Sequence, residues 1–159
     1  MSFRSFDDAP RGLTFGLLCA LIAGTFTLMG GFAPSAAAAD PAKDEVMHKA
    51  MDGLKDGMRA LSKSIKDPAQ NEASLKTLHE MQGHCMSAKL EKPDNLAEIE
   101  EGKRREHAAA FRADLSRLLM SLCEMEVAVL EGKNDEAAAM IRSKLVPMRN
   151  EGHGKYQKN

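Results

Sequence analysis

Apolar residues recur along this chain at alternating steps of four and three, the spacing that places them on one face of an α-helix. One series has Met47, Met51, Leu54, Met58, Leu61 and Ile65. A second has Phe111, Leu115, Leu118, Leu122, Met125 and Val129. Two further series carry Leu75, Leu78, Met81, Cys85 and Met86, and Ala137, Ile141, Leu145, Met148 and Tyr156. The pattern predicts four helices that each bury one face.

Residues typical of helix ends separate the first two series. Asp40 and Pro41 open the first helix as its N-cap and first helical residue. The segment Asp67-Pro68-Ala69-Gln70 ends this helix and begins the second with a capping-box pattern. The second helix is predicted to end near Lys89.

The third helix is predicted over residues 96–131, with Asn95 as its cap and Glu98 completing a capping box. Gly132 follows as the C-terminal stop, and Asn134 caps the fourth helix. The connections are short, at most about seven residues, so consecutive helices must run antiparallel. We therefore predict an all-α fold, an antiparallel up-down-up-down four-helix bundle.

The N-terminal stretch has the features of a secretory signal peptide. Basic residues precede an apolar run over residues 13–32, and an alanine-rich cleavage site follows. We predict a signal peptide over residues 1–39, a mature four-helix-bundle domain over residues 40–159, and export to a bacterial periplasm. The apolar run is long enough to span a bilayer, so an uncleaved anchor is the alternative. Once the signal is cleaved, no stable membrane association is expected.

Composition supports helix and limits the classes of function. The chain has no Trp, one Tyr and six Phe, which favours helix over strand. Its net charge of −1 gives no electrostatic reason to expect nucleic acid as a partner. The sequence has no Ser/His/Asp arrangement, phosphate-binding glycine loop or His-x-x-x-His zinc pair, so we do not expect an enzyme. We expect a monomer.

Counting residues along antiparallel helices gives the height of each side chain in the bundle. Met51 and His153 differ in height by about three residues, or roughly 4.5 Å at the rise of an α-helix. Both lie toward the end opposite the first and third loops, here called the open end. They are therefore expected on opposite sides of one cavity, with Phe111 and Leu115 as its walls.

The same count separates the two cysteines of the predicted mature chain. Cys85 and Cys123 differ in height by about nine residues, roughly 13 Å, which exceeds the ~7 Å between Cα atoms that a disulfide can bridge. We predict no intramolecular disulfide. Cys85 is nearer the open end and is predicted to be the more reactive thiol.

Other histidines and a methionine share the open end with His153. They are His48, His84, Met86 and His107. Thioether sulfur combined with imidazole suits copper, so a periplasmic copper-binding bundle is one alternative function. Its ligands would be Met47, Met51, His48 and His84. A structural or interaction bundle without a cofactor is another alternative, and it predicts a closed core with His153 turned to solvent.

Three segments of the chain match a known family. The first is Ala50-Met51-Asp-Gly-Leu54-Lys-Asp56-Gly-Met58. The second combines Phe111-Arg112 with the later Leu130-Glu-Gly-Lys133 and Glu136-Ala137. The third and most specific is Arg149-Asn150-x-x-His153-x-Lys155-Tyr156. Together they resemble the soluble periplasmic cytochrome b-562 family, over nearly all of residues 44–157.

The resemblance implies a b-type haem protein in which Met51 and His153 are the axial iron ligands. It implies that Arg149 lies near the haem edge and that Phe111 packs on the macrocycle. Because the sequence contains no Cys-x-x-Cys-His, haem b would be held non-covalently. Iron with methionine and histidine on opposite faces has no open position. The expected role is therefore one-electron transfer to a redox partner protein, which the sequence does not identify.

The chain departs from the family pattern in several places. Leu115, in the expected cofactor-binding set, stands where the family often has a second aromatic residue. The stretch between Lys89 and Phe111 is longer than usual. Met47 lies one helical turn before Met51 and is the alternative sulfur ligand.

The fourth helix also contains residues that disfavour regular helix. Pro147 is expected to kink it six residues before His153. Gly152 and Gly154, on either side of His153, are expected to loosen it. The presentation of His153 depends on how the fold accommodates these three residues.

Overall fold

The computed structural model describes residues 41–158; the predicted signal peptide and Asp40 lie outside these residues. The helices are α1 (Pro41–Ser64), α2 (Asn71–Lys89), α3 (Arg104–Leu130), α4 (Asn134–Met140) and α5 (Val146–Tyr156). A π-helical segment, Ile141–Leu145, joins α4 to α5 without a break, and the three together form the fourth rod of the bundle. Short 3₁₀ turns occupy Pro68–Gln70, Asp94–Glu98 and Glu101–Lys103.

Each rod packs against its neighbour in sequence: α1 on α2, α2 on α3, and α3 on the fourth rod. The connections are short, so consecutive rods run antiparallel. The prediction of an all-α, antiparallel up-down-up-down four-helix bundle is therefore confirmed, and residues 41–158 contain no strand. Within the same residues, no helix is long and apolar enough to cross a bilayer.

The predicted apolar faces form the buried core. The most completely buried large side chains are Leu61, Ile65, Leu78, Met81, Leu122, Met125 and Leu145. They come from all four rods, so each rod buries most of the face that its spacing predicts. Met86 of the second series is an exception, because it is exposed. The partly buried residues of these faces include Met51, Met58 and Leu118. These three line a cavity rather than the close-packed centre.

The α1–α2 turn follows the predicted capping pattern in part. Asp67 Oδ1 accepts a hydrogen bond from the Ala69 N–H at 3.0 Å, and Gln70 Nε2 donates to Asp67 Oδ2 at 3.0 Å. The Gln70 side chain thus reaches the carboxylate instead of a backbone N–H. A 3₁₀ turn forms first, and α2 begins at Asn71.

The third helix begins at Arg104, so the predicted start at residue 96 is wrong. The preceding residues form two 3₁₀ turns. The Arg104 guanidinium donates to the carbonyls of Ile99 (2.9 Å) and Ala97 (3.2 Å), which holds the connection in a non-α-helical path. Asn95 is not a helix cap, because its side chain bonds to residues of α3 and α5.

Asn134 is the first residue of α4 and not its N-cap, contrary to the prediction. Its Nδ2 donates to the Ile65 carbonyl at 2.7 Å and to Asn71 Oδ1 at 2.6 Å. These bonds join the start of the fourth rod to the end of α1 and the start of α2. Gly132 follows α3 as predicted, with φ of +73°, a conformation that favours glycine.

The fourth rod accommodates Pro147 with a wide turn. The N–H of Val146 donates to the carbonyl of Ile141, five residues earlier, as in a π-helix. A proline ring needs room at the preceding turn and contributes no N–H. The disturbance predicted at Pro147 takes the form of this π-helical segment, and the rod continues as α5 to Tyr156.

Both cysteines of the described residues are free thiols, as predicted. Cys85 is completely buried, and its Sγ donates to the Leu115 carbonyl at 3.1 Å. Burial raises the pKa of the Cys85 thiol to about 11. The prediction that Cys85 is the more reactive thiol is wrong, because Cys123 is the exposed one.

Candidate functional site

A cavity of about 400 Å³ lies between α1, α3 and α5. Its apolar lining comprises Met47, Met51, Leu54, Met58, Met81, Pro93, Phe111, Leu115, Leu118, Leu145 and Tyr156. Polar and charged side chains also border it, namely Asp52, Lys55, Asp94, Asp114, Arg149, His153 and Gln157. None of these polar residues is buried. An apolar interior with a few polar groups at its rim is typical of a small-molecule or cofactor site.

All five residues predicted to bind a cofactor border this one cavity. Met51, on α1, is partly buried, whereas His153 and Arg149, on α5, are exposed at the rim. Phe111 and Leu115, on α3, are 4% and 7% exposed and form walls. The structure therefore brings together a thioether, an imidazole and a guanidinium that are about a hundred residues apart in sequence.

Two glycines set how closely α1 approaches α2. A Cβ on Gly53 would lie 2.3 Å from Nε2 of His84, and a Cβ on Gly57 would lie 2.3 Å from Cγ of Met81. The side chains of α2 therefore rest directly on the α1 backbone. This contact fixes α1 from the α2 side, while its Met47 and Met51 side chains border the cavity.

Tyr156 anchors the end of α5 to α3. It is buried, and its ring packs against Phe111 at 5.0 Å between centroids and against His107 at 5.2 Å. Its hydroxyl donates to Asp114 Oδ2 at 2.7 Å. Burial, and then the neighbouring Asp114 carboxylate, raise the pKa of Tyr156, so the hydroxyl stays protonated and acts as the donor.

Asp114 receives further contacts from both α3 and α5. Its Oδ1 accepts from Arg117 at 2.5 Å, and Lys155 Nζ lies 3.5 Å from its Oδ2. Partial burial alone would raise the pKa of Asp114, but the hydrogen bond from Tyr156 and the charge of Lys155 outweigh it, and the pKa is lowered. An ionised carboxylate thus faces the last turn of α5.

The connection between α2 and α3 also reaches this turn. Asn95 Nδ2 donates to the Lys155 carbonyl at 2.8 Å, and His107 Nε2 lies 2.9 Å from Asn95 Oδ1. Sequence reasoning missed the roles of Asn95, Asp114 and Tyr156 at the site. The one signal available was Tyr156 itself, a buried-face aromatic three residues after His153.

Two histidines at the open end, of which His84 is a ligand in the copper alternative, have other contacts. The His84 ring lies against Gly53, and His107 bonds to Asn95 and packs on Tyr156. Within the described part of the chain, no three His, Cys, Asp or Glu side chains form a group that could hold a metal ion. That alternative would therefore depend on Met47 and Met51, which do border one cavity.

The comparisons with known proteins agree with this architecture. The family model described as Cytochrome b562 matches residues 46–157, most of the chain and all of the cavity-lining residues. A search of curated proteins and a search of solved structures each gave no significant match.

Proposed function

This chain belongs to the cytochrome b562 family, which comprises haem-binding four-helix-bundle electron carriers, and we propose that it binds one haem b between Met51 and His153. The observation that carries this proposal is the cavity itself. Met51 from α1 and His153 from α5 border it. Among the described residues, His153 is the one histidine on its lining, and the methionines there besides Met51 are Met47, Met58 and Met81. Thioether and imidazole are established axial donors to haem iron.

The lining of the cavity fits a haem group. Phe111, Leu115 and Leu118 offer apolar surface for a macrocycle, while Arg149 and Lys55 offer positive charge at the rim for carboxylates. The volume of about 400 Å³ lies within the range of ligand pockets. Non-covalent binding follows from the absence of Cys-x-x-Cys-His in the sequence.

With Met51 and His153 as its ligands, the iron would have no position for an external molecule, which favours one-electron transfer over reactions of a bound substrate. Bound haem supplies a couple of ferric and ferrous iron. Met51 would contribute a soft sulfur, which favours the ferrous state and raises the reduction potential, and His153 would contribute a neutral imidazole. Met51 lies within a helix of the close-packed bundle, so its position would change little when the charge of the site changes. No enzymatic role is proposed.

The first test is titration of the purified apoprotein with haemin, followed by absorption spectroscopy. We expect a low-spin spectrum with one equivalent bound, and loss of that spectrum in Met51→Ala and in His153→Ala. Matched controls are Met120→Ala and His79→Ala, which remove an exposed methionine and an exposed histidine away from the cavity. A low-spin spectrum that survives both ligand substitutions would refute the proposed ligation.

A third variant identifies the sulfur ligand. Met47 is 4% exposed and borders the cavity one turn before Met51. If Met51 is the ligand, Met47→Ala weakens binding through lost packing but keeps the low-spin spectrum. If Met47→Ala loses that spectrum and Met51→Ala keeps it, the ligand is Met47.

The two alternative functions make different predictions for the same protein. The copper alternative predicts tight Cu(I) uptake and indifference to haemin. The cofactor-free alternative predicts a closed core and an exposed His153. His153 is exposed, in agreement with the cofactor-free alternative, but the cavity beside it disagrees with a closed core.

The cellular setting is also part of the proposal. Known members of the family are soluble periplasmic proteins, and residues 1–39 have the features of a secretory signal. We therefore propose a periplasmic monomer that exchanges electrons with a partner protein and does not bind nucleic acid. Mass spectrometry of the periplasmic fraction would test export, with Asp40 as the expected first residue.

A further inference from the structure

We propose that Asn95 and Asp114 are positioning residues that hold the turn carrying His153, residues 153–157, which we call the ligand turn. The inference rests on the proposed function, because it concerns how that function's histidine is presented. Neither residue belongs to the ligand turn. Asn95 comes from the α2–α3 connection and Asp114 from α3, and both contact the turn directly.

The ligand turn has little to hold it from within. Gly152 and Gly154 flank His153, and a Cβ at either position would meet no described atom within 4 Å. Close packing therefore does not require these glycines, and their conformational freedom weakens the helix around His153. The last backbone bond, from the Gln157 N–H to the His153 carbonyl, is long at 3.3 Å. A helix end of this kind frays unless other groups satisfy its carbonyls.

Asn95 satisfies one of those carbonyls from outside the helix. The Lys155 carbonyl can only accept, so the Asn95 atom 2.8 Å from it must be the donor Nδ2. The Asn95 Oδ1 then faces His107 at 2.9 Å, and His107 must donate through Nε2. Each group thus fixes the orientation of the next, and α3 is linked through Asn95 to the backbone of the ligand turn.

Asp114 holds the ligand turn through two side chains of that turn, those of Tyr156 and Lys155. Its Oδ2 accepts from the Tyr156 hydroxyl at 2.7 Å and lies 3.5 Å from Lys155 Nζ. Hydrogen bonds to an ionised acceptor are stronger than neutral ones. Since Phe111 packs on the Tyr156 ring, the ligand turn is in direct contact with the cavity wall.

The long α2–α3 connection acquires a role from this geometry. Its Pro93 is buried and, with Asp94, borders the cavity, while Asn95 reaches the ligand turn. The connection between α2 and α3 therefore contacts the same turn that Gly152 and Gly154 weaken, and its contact compensates for them.

The test compares Asn95→Ala and Asp114→Ala with the unmodified protein in two measurements. In the apoprotein, amide hydrogen exchange of residues 154–157 should become roughly tenfold faster, while exchange in α1 and α2 stays unchanged. In the haemin-loaded protein, transfer of haem to an excess of a high-affinity apoprotein acceptor should become roughly tenfold faster. Asp114→Asn keeps an acceptor for Tyr156, so both its exchange rate and its haem-transfer rate should be close to those of the unmodified protein.

Gln82→Ala is the matched control, because it removes a 2.6 Å side-chain bond between α2 and Glu126 of α3 without touching α5. If the alanine variants exchange like the unmodified protein, or if Gln82→Ala has the same effect on the ligand turn, the positioning role is wrong. Should an alanine variant fail to fold, Tyr156→Phe, which keeps the ring, replaces it in the same comparison.

The two proposals fail in different ways. If the unmodified protein does not bind haemin, the proposed function is overturned and the positioning role with it. If it binds haemin through His153 but Asn95→Ala and Asp114→Ala release haem at the normal rate, only the positioning role is overturned.

Discussion

The hydroxyl of Tyr156 donates a 2.7 Å hydrogen bond to Oδ2 of Asp114, joining the end of α5 to the middle of α3. This bond lies three residues beyond His153, on the same helix that Pro147 widens and two glycines weaken. It shows how a helix with unfavourable local sequence still ends in a defined position: the long-range contacts of its last residues compensate.

Acid should weaken this contact. The pKa of Asp114 is lower than its usual 3.8, because the Tyr156 hydrogen bond and the Lys155 charge outweigh the effect of burial. A carboxyl with a lowered folded-state pKa stabilises the fold above its unfolded pKa, and this stabilisation is lost as pH falls through the folded pKa. We expect the free energy of unfolding of the apoprotein to decrease below about pH 4.

Urea unfolding followed by circular dichroism at pH 7, 4 and 3 would measure this decrease. Asp114→Asn has no carboxyl to titrate, so its stability should depend less on pH over the same interval. An equal loss of stability in Asp114→Asn and in the unmodified protein would show that other carboxyls control the acid response.

Gly57 should not tolerate a side chain. A Cβ there would lie 2.3 Å from Cγ of Met81, a buried side chain that would have to shift toward the cavity that it borders. We expect Gly57→Ala to lower the free energy of unfolding by about 1–3 kcal/mol, as overpacking does. At Gly53 the obstructing His84 is partly exposed and can turn away, so Gly53→Ala should cost less.

Gly83→Ala is the control for these substitutions. It lies on α2, and a Cβ there would meet no described atom within 4 Å. Replacing glycine by alanine in an open helical position should raise stability by up to about 1 kcal/mol. Equal effects at Gly57 and Gly83 in urea unfolding would contradict close contact between α1 and α2.

The spacing of apolar residues was enough to predict the bundle, and counting heights was enough to bring Met51 and His153 to one cavity. Both arguments use only the geometry of a regular helix. They fail where a side chain forms a hydrogen bond with a residue distant in sequence. The Asn95 amide, for example, donates to the Lys155 carbonyl, 60 residues away. The residues around Asn95, from Pro93 to Glu98, favour a helix cap and do not indicate that Lys155 is its partner.

The reactivity of Cys85 was mispredicted for a different reason. The height of Cys85 near the open end suggests a reactive thiol, but its spacing after Leu78 and Met81 places it on the buried face of α2. Height along the axis says nothing about direction around it, which decides exposure. For the residues of the proposed haem site, by contrast, height was sufficient: Met51, His153, Arg149, Phe111 and Leu115 all border the cavity.

Asn134 should contribute to stability although it does not cap α4. Its Nδ2 serves both the Ile65 carbonyl and Asn71 Oδ1. Asn134→Ala would leave both acceptors without this donor in a buried place, and we expect a loss of about 1–3 kcal/mol in urea unfolding. Ser143→Ala removes an exposed hydroxyl that bonds only within its own rod, and should change stability by less than about 0.5 kcal/mol.

The two thiols should differ sharply in reactivity. At pH 8 iodoacetamide should modify Cys123, which is exposed, and leave Cys85 unmodified, because Cys85 is buried and its pKa is raised to about 11. Peptide mapping by mass spectrometry would locate the label, and Cys123→Ser should abolish it in residues 41–158. In denaturant both thiols should react, since neither forms a disulfide. Rapid labelling of Cys85 in the folded protein would mean that α2 opens away from α3 far more often than a close-packed bundle allows.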